Sequence, residues 1–292
     1  MVPEFEAESS SRRTTISTTN ISDVVRETQE YYDGPADEIY RLLWRDNVHM
    51  GTWDDSVETL QEAMDRTNAR MAAYAHLDAD SRVLDVGCGY GETAFHLARE
   101  HGCEVVGINI SNRELDLARE RTPDSGVADK VSFQYGDFHE LPFGDEEFDV
   151  VWSQEAFLHG ADKDRILAEC HRVLTPGGRV VISDLLIHGD VPDEERDAIH
   201  ARVKSPQMWD TPSYERGLEA AGFEVEASDS WDDNVAPTYQ AVLDGLREHR
   251  DELRERGVSE EQLDNTERAL GLWVESGKAG KIGQGLFVGR RR

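Results

Sequence analysis

The residues best placed to do chemistry begin at Asp85. Residues 83–91 read Val-Leu-Asp-Val-Gly-Cys-Gly-Tyr-Gly, a short apolar run followed by Gly87, Gly89 and Gly91. The apolar run has the character of a strand covered on both faces. Three glycines at alternate positions let the main chain turn sharply and let a ligand reach backbone N–H groups with no Cβ in the way. Glu92 to His101 then has helical spacing, so the free amides at its start face the same point. A dinucleotide fingerprint, G-x-G-x-x-G, sets its third glycine on the helix, beneath a pyrophosphate. Glu92 stands there instead, and its carboxylate repels a pyrophosphate. A nicotinamide oxidoreductase is disfavoured on that ground.

The pattern Asp-x-Gly-x-Gly-x-Gly, with Asp85 at the strand end, resembles motif I of the class I S-adenosylmethionine-dependent methyltransferases. In that class the loop passes under the methionine part of the cofactor. The resemblance implies further cofactor contacts downstream. Asn109 and Ile110 end the second strand, where an acidic residue usually accepts from both ribose hydroxyls. Asparagine departs from that pattern; its oxygen accepts without charge, which predicts a ribose contact that is weaker or shared. Asp137 suits the adenine amino group, with Phe138 or Leu141 against the ring, although an aspartate here also reads as a turn or cap residue. The run from Trp152 to His159 lies at the carboxyl end of the fourth strand, the edge where open α/β sheets bind ligands. By resemblance this edge faces the transferable methyl group, so Ser153 joins the cofactor set and Gln154 and His159 are first choices for substrate contact.

A closer resemblance rests on Tyr31-Tyr32-Asp33, Trp44, His49-x-Gly51, Gly107 to Ser111, Trp152-Ser153-Gln154 with His159, Gly271-Leu272-Trp273-Val274 and Gly277-Lys278. From about residue 24 to 290 the chain is similar to the sarcosine/dimethylglycine N-methyltransferases of betaine synthesis. Cyclopropane-fatty-acid synthases and sterol or tocopherol methyltransferases share the Tyr-Asp pattern and an aligned histidine. The implied acceptor is a small amine whose lone pair attacks a methyl group already activated by a sulfonium. Catalysis then means holding N, C and S in line and favouring the unprotonated amine. Sulfonium and quaternary product are cations without donors, which aromatic faces hold by about 0.5–2 kcal/mol each. Tyr32, Trp44, Trp53, Trp152, Trp209 and Tyr214 are the aromatic candidates, with Tyr32 added to the catalytic pair. A substrate carboxylate needs a guanidinium or ammonium, and Arg41, Arg45, Arg165 and Arg202 are available. Two rivals are a methyltransferase acting on a lipid-like, sterol or phenolic acceptor, with a wide apolar pocket, and a non-catalytic cofactor-binding subunit whose fourth-strand edge is closed.

The elements that must position these residues follow a regular alternation. Strands are expected at 83–86, 104–110, 131–135, 149–153 and 179–183, separated by helices, with further strands at 223–227 and 282–288. This spacing predicts right-handed βαβ units and a doubly wound, mostly parallel, seven-stranded Rossmann-like sheet with a helical cap. Residues 1–22 are rich in Ser, Thr and Glu and are expected to be disordered. An N-terminal helical cap is expected over 23–76, the cofactor-binding domain over 77–234, a helical insertion over 235–280 and the last strand over 281–292. The insertion opens with a capping box, Ser259-x-x-Gln262, and its stripe of Leu263, Leu270, Trp273 and Val274 is expected to pack with 23–76 as one cap.

Composition excludes some partners. Sixty acidic residues against 31 Lys plus Arg give a formal net charge of −29, and five of the bases are lysines. Such a surface repels nucleic acid. Its carboxylate-rich, lysine-poor character suits a cytoplasm of high salinity, where the Debye length falls to ~3 Å at molar salt. The absence of a membrane-length apolar run and of an apolar signal core predicts a soluble, cytoplasmic protein, monomeric or homodimeric. Cys88, Cys103 and Cys170 have no paired spacing and are assigned neither a disulfide nor a metal.

Overall fold

The computed structural model describes residues 21–32, 36–45, 47–189 and 191–292. Residues 1–20 of the expected tail and the Asp33-Gly34-Pro35 turn lie outside the described residues, whereas Ile21 and Ser22 already belong to a helix. In order the chain forms α1 (Ile21–Tyr32), α2 (Ala36–Leu43), α3 (Leu60–Ala75), β1 (Arg82–Val86), α4 (Glu92–His101), β2 (Glu104–Asn109), α5 (Asn112–Arg121), β3 (Val131–Tyr135) and β4 (Phe148–Gln154). Then come α6 (Lys163–Val173), β5 (Leu174–Ile187), α7 (Asp193–Arg202), α8 (Thr211–Ala220), β6 (Phe223–Ser230), α9 (Val235–Glu248), α10 (Arg250–Glu255), α11 (Glu260–Lys278) and β7 (Ile282–Arg291).

The seven strands lie in the order β3-β2-β1-β4-β5-β7-β6. Neighbours from β3 to β5 run parallel, while β7 is antiparallel to both β5 and β6. The order of winding reverses between β1 and β4, so the carboxyl ends of these two strands bound the crevice where an open α/β sheet takes its ligand. β5 begins five residues earlier than the spacing of its apolar residues suggests. Pro176, Gly177 and Gly178 lie inside it as a bulge, where pairing with β4 jumps from Leu174 opposite Phe148 to Arg179 opposite Val150. Gly177 takes a φ of 83° there, which a Cβ would oppose.

Two apolar clusters cover the faces of the sheet, and a third joins the cap to its edge. Ile39, Leu43 and Trp44 of the N-terminal segment meet Val242, Leu246, Leu263, Leu270 and Trp273 of the C-terminal helices in that third cluster. The expected stripe on α11 is buried in this cluster, packed chiefly on α9, and it is α9 that meets α2 and α3. α3 serves both layers: Met64 packs in the cap cluster, whereas Met71, Ala72 and Ala75 pack on the sheet beside Val83 and Trp152. A capping box at Thr59 and Glu62 starts this helix and aims its amino end at the cap. The second capping box forms at Ser259 and Gln262. No helix among the described residues is long and apolar enough to cross a membrane.

Candidate active site

A cavity with about 900 Å³ of empty space, its mouth included, opens beyond β1 and β4. Its floor is the glycine corner. Gly87 N–H and Cys88 N–H both donate to the Ile108 carbonyl, at 2.9 and 3.0 Å, which ties the corner to β2. Gly89 has a φ of 50°, and a Cβ there would meet nothing within 4 Å, so its backbone faces open space. Gly91 differs: a Cβ would come within 2.6 Å of the Phe133 ring, so this third glycine serves packing and lies off the cavity.

Around this floor three buried polar atoms have no partner among the described residues: Asn47 Nδ2, His49 Nε2 and Asp85 Oδ2. All three residues line the cavity. Burial pushes the Asp85 carboxyl up to about 7. His49 places Nδ1 3.0 Å from the Met50 carbonyl, which can only accept, so Nδ1 carries the proton and Nε2 offers a lone pair. Burial outweighs that bond and lowers His49 to about 4. One donor and two acceptors without a protein partner among the described residues mark this cavity as one that a polar ligand can satisfy.

Asn109, the residue expected at the ribose, donates from Nδ2 to Glu114 Oε2 at 2.7 Å and accepts from Ser111 N–H at 3.1 Å. Glu114 lies on α5, is 4% exposed and lines the cavity. It returns to this corner the negative charge that asparagine lacks. Asn109 and Ile110 line the cavity as well. Further along, Asp137 Oδ1 accepts from the backbone and the ring Nδ1 of His139, both at 2.8 Å. Burial would raise the Asp137 carboxyl, but those His139 bonds prevail and hold it below the usual range. Phe138 sits beside it, edge-on to Phe157 with ring centroids 5.7 Å apart.

A second cavity, of about 440 Å³, adjoins the first through four shared lining residues, Val48, His49, Glu155 and His159. Its far wall is made by Trp44, Tyr239 and Arg202, and Met50, Leu158, Leu185 and Val203 complete it. Trp44 and Tyr239 meet edge to face, centroids 6.0 Å apart. Burial, with the Lys163 cation nearby, lowers His159 to about 4.

The remaining expected site residues sort clearly. Gln154 lines the first cavity, but its Oε1 accepts from Thr93 and Trp152 and its Nε2 donates to Asn68 Oδ1, so it ties α4, β4 and α3 together. Trp152 is wholly buried behind it and lines neither cavity. Ser153 is also buried, donating to the Val86 carbonyl. Trp209 covers Lys163 and meets Tyr214 edge-on, and Tyr214 donates to Asp184 inside the core; both lie away from the cavities. Trp53 donates from its indole to Thr238, tying its loop to α9. Arg45 and Arg41 line a separate surface groove, and Arg165 pairs with Glu140 on the surface. The backbone of Tyr32 ends α1, while its side chain lies outside the described residues. Glu155, Glu114 and Tyr239 escaped sequence reasoning, and His49 entered it within the resemblance but without a role in the site. A conspicuous signal existed for His49 alone, in the His-x-Gly segment.

A glycine corner at the winding reversal, with a buried acid beneath and a second chamber beside it, defines a methyltransferase of class I. The model of the methyltransferase domain family matches residues 84–182. A sarcosine/dimethylglycine N-methyltransferase of Aphanothece halophytica is 32% identical, over 90% of this chain and 96% of that one. The methyltransferase GfsG of Streptomyces halstedii is 35% identical, over 80% of this chain and 86% of that one. A crystal structure assigned as a sarcosine dimethylglycine methyltransferase of Galdieria sulphuraria superposes with a TM-score of 0.82 at 29% identity, covering 88% of this chain and 98% of that one. The chain belongs to the class I S-adenosylmethionine-dependent methyltransferases, in the group that includes the sarcosine/dimethylglycine N-methyltransferases.

Proposed function

We propose that the protein methylates the nitrogen of sarcosine, dimethylglycine or both, toward glycine betaine. The second cavity carries this reading: two aromatic faces, Trp44 and Tyr239, and one guanidinium, Arg202, surround a chamber that opens onto the cofactor cavity. Aromatic faces suit a methylated ammonium, and a guanidinium suits a carboxylate. The relatives named for sarcosine and dimethylglycine support the same acceptor. When bound, S-adenosylmethionine supplies a methyl carbon that accepts the amine lone pair as the C–S bonding pair returns to sulfur. The chain's own residues bind, orient and exclude water. Asp85, Gly87, Gly89, Asn47, Asn109, Ile110, Glu114, Asp137 and Phe138 line the cofactor chamber. Met50, Leu158, Leu185 and Val203 keep the acceptor chamber dry. His49 and His159, held neutral by burial, add no positive charge against an incoming amine. In this reading helices from both ends of the chain form the cap, the sheet forms the floor, and the enzyme works as a monomer or homodimer in a saline cytoplasm.

A second reading, transfer to a larger uncharged acceptor, is favoured by the apolar remainder of the second cavity and by a 27-O-demethylrifamycin SV methyltransferase of Amycolatopsis mediterranei that is 33% identical over 89% of this chain and 95% of that one. Labelled S-adenosylmethionine offered with glycine, sarcosine, dimethylglycine and phosphoethanolamine separates the two. Label is expected in dimethylglycine or betaine; label only in an added lipid or phenol overturns the amine assignment.

A further inference from the structure

Three polar side chains stand at the seam between the two cavities, and two of them, His49 and His159, are neutral. The third is Glu155, a carboxylate in the protein interior. Its Oε2 accepts from the Met50 N–H at 2.9 Å. Its Oε1 accepts from Ser183 Oγ at 2.8 Å and Gln284 Nε2 at 3.2 Å. All three donors are neutral, so they fix the group in place without cancelling its charge. Burial raises its carboxyl above the ordinary range, and no cation is among the groups that act on it. The backbone of Glu155 also lies in the left-handed region, with a φ of 46°. A residue with a Cβ rarely adopts that conformation, and such strain collects where a side chain must point one way. A buried charge, directed donors and a strained backbone meet at the one place where acceptor and cofactor chambers join.

We infer that Glu155 is the specificity-determining residue that reads the positive charge of the acceptor amine, drawing its nitrogen to the seam and selecting amines over uncharged acceptors of the same shape. The inference rests on the amine-acceptor reading above. A methylated ammonium offers few or no N–H donors, so recognition here is by charge, which acts over a few ångström in an interior of low dielectric. The same carboxylate repels the carboxylate end of the acceptor and leaves that end to Arg202 on the far wall. One residue thereby sets which end of the substrate meets the methyl group.

The test is calorimetric titration of the full chain, saturated with S-adenosylhomocysteine, using glycine betaine and 3,3-dimethylbutanoate. The second ligand replaces N⁺ by carbon and keeps the shape and the carboxylate. The wild-type protein is expected to bind betaine about tenfold or more tightly than the neutral isostere. Glu155→Gln, which keeps the shape, is expected to erase that preference while binding 3,3-dimethylbutanoate about as well as the wild type does. A purely structural role would weaken both ligands alike. Equal binding of the two ligands by the wild type, or an unchanged preference in the variant, overturns the assignment of Glu155. Should Glu155→Gln fail to fold, Glu155→Asp, which keeps the charge but withdraws it by one methylene, takes its place: the preference is expected to shrink, and an unchanged preference overturns the assignment there too, since Trp44 and Tyr239 alone would sustain it. If the wild type binds neither ligand, the amine-acceptor reading fails and the inference goes with it.

Discussion

Burial lifts the Asp85 carboxyl to about 7, and its Oδ2 has no partner among the described residues. The empty cavity therefore favours the protonated acid, whereas a cationic ligand favours the carboxylate. Because the folded value stands above the unfolded one, the stability Asp85 contributes is complete below the ordinary carboxylate range and is lost as pH rises through about 7. Asp85→Asn should therefore raise the ligand-free stability near pH 8 by on the order of 2 kcal/mol, read from the urea midpoint. In the wild type, affinity for S-adenosylmethionine should climb with pH and level off above about 7, and calorimetry in two buffers should detect proton release on the rising limb. A pH-independent affinity would contradict the role given to this carboxylate. Glu114 allows a second test at this scale. Glu114→Gln should weaken S-adenosylmethionine binding about tenfold, and the double change Asn109→Asp with Glu114→Gln should restore it by moving the charge back to the strand end.

Among the elements, the cap depends on a core assembled from distant parts of the chain. Trp273 of α11 is wholly buried beside Tyr239, centroids 4.7 Å apart. Trp273→Ala should cost about 3–5 kcal/mol in denaturant unfolding and loosen the chamber walled by Tyr239. What could be read beforehand follows from periodicity. The strand run before Gly87 and the stripe on α11 repeat with the period of their element, so both were legible, and the two-residue period of β4 carried Gln154 to the cavity edge. Glu155 and His49 lie where no period applies. Nothing in the letter Glu announces a left-handed backbone, and the bond from Met50 N–H to Glu155 joins residues 105 apart in the chain. The six aromatic candidates could not be told apart for a related reason: Trp152 and Tyr214 use their polar atoms inside the core, a matter of tertiary packing. The bulge in β5 hid part of that strand behind a Pro-Gly-Gly sequence that reads as a stop.

For the whole molecule, a net charge of −29 is the dominant fact. Many of its arginines are already committed to nearby acids: Arg250 pairs with Glu260, Asp264 and Glu267, and Arg290 with Glu224 and Glu226. Each such exposed pair contributes little, so the surplus of carboxylates decides the response to salt. Adding salt weakens these pairs and the repulsion together, and the repulsion is the larger sum. The melting temperature should therefore rise as NaCl is raised from about 0.1 M to about 2 M, with activity following it. A melting temperature that falls or stays level would remove the argument for a saline setting. The position of β7 has a consequence for how such a molecule is made. Among the described residues β6 pairs with β7 alone, and β7 pairs on its other side with β5. While the chain is still leaving the ribosome, β6 must wait with bare edges until the strand synthesised after it slides between two neighbours that already exist.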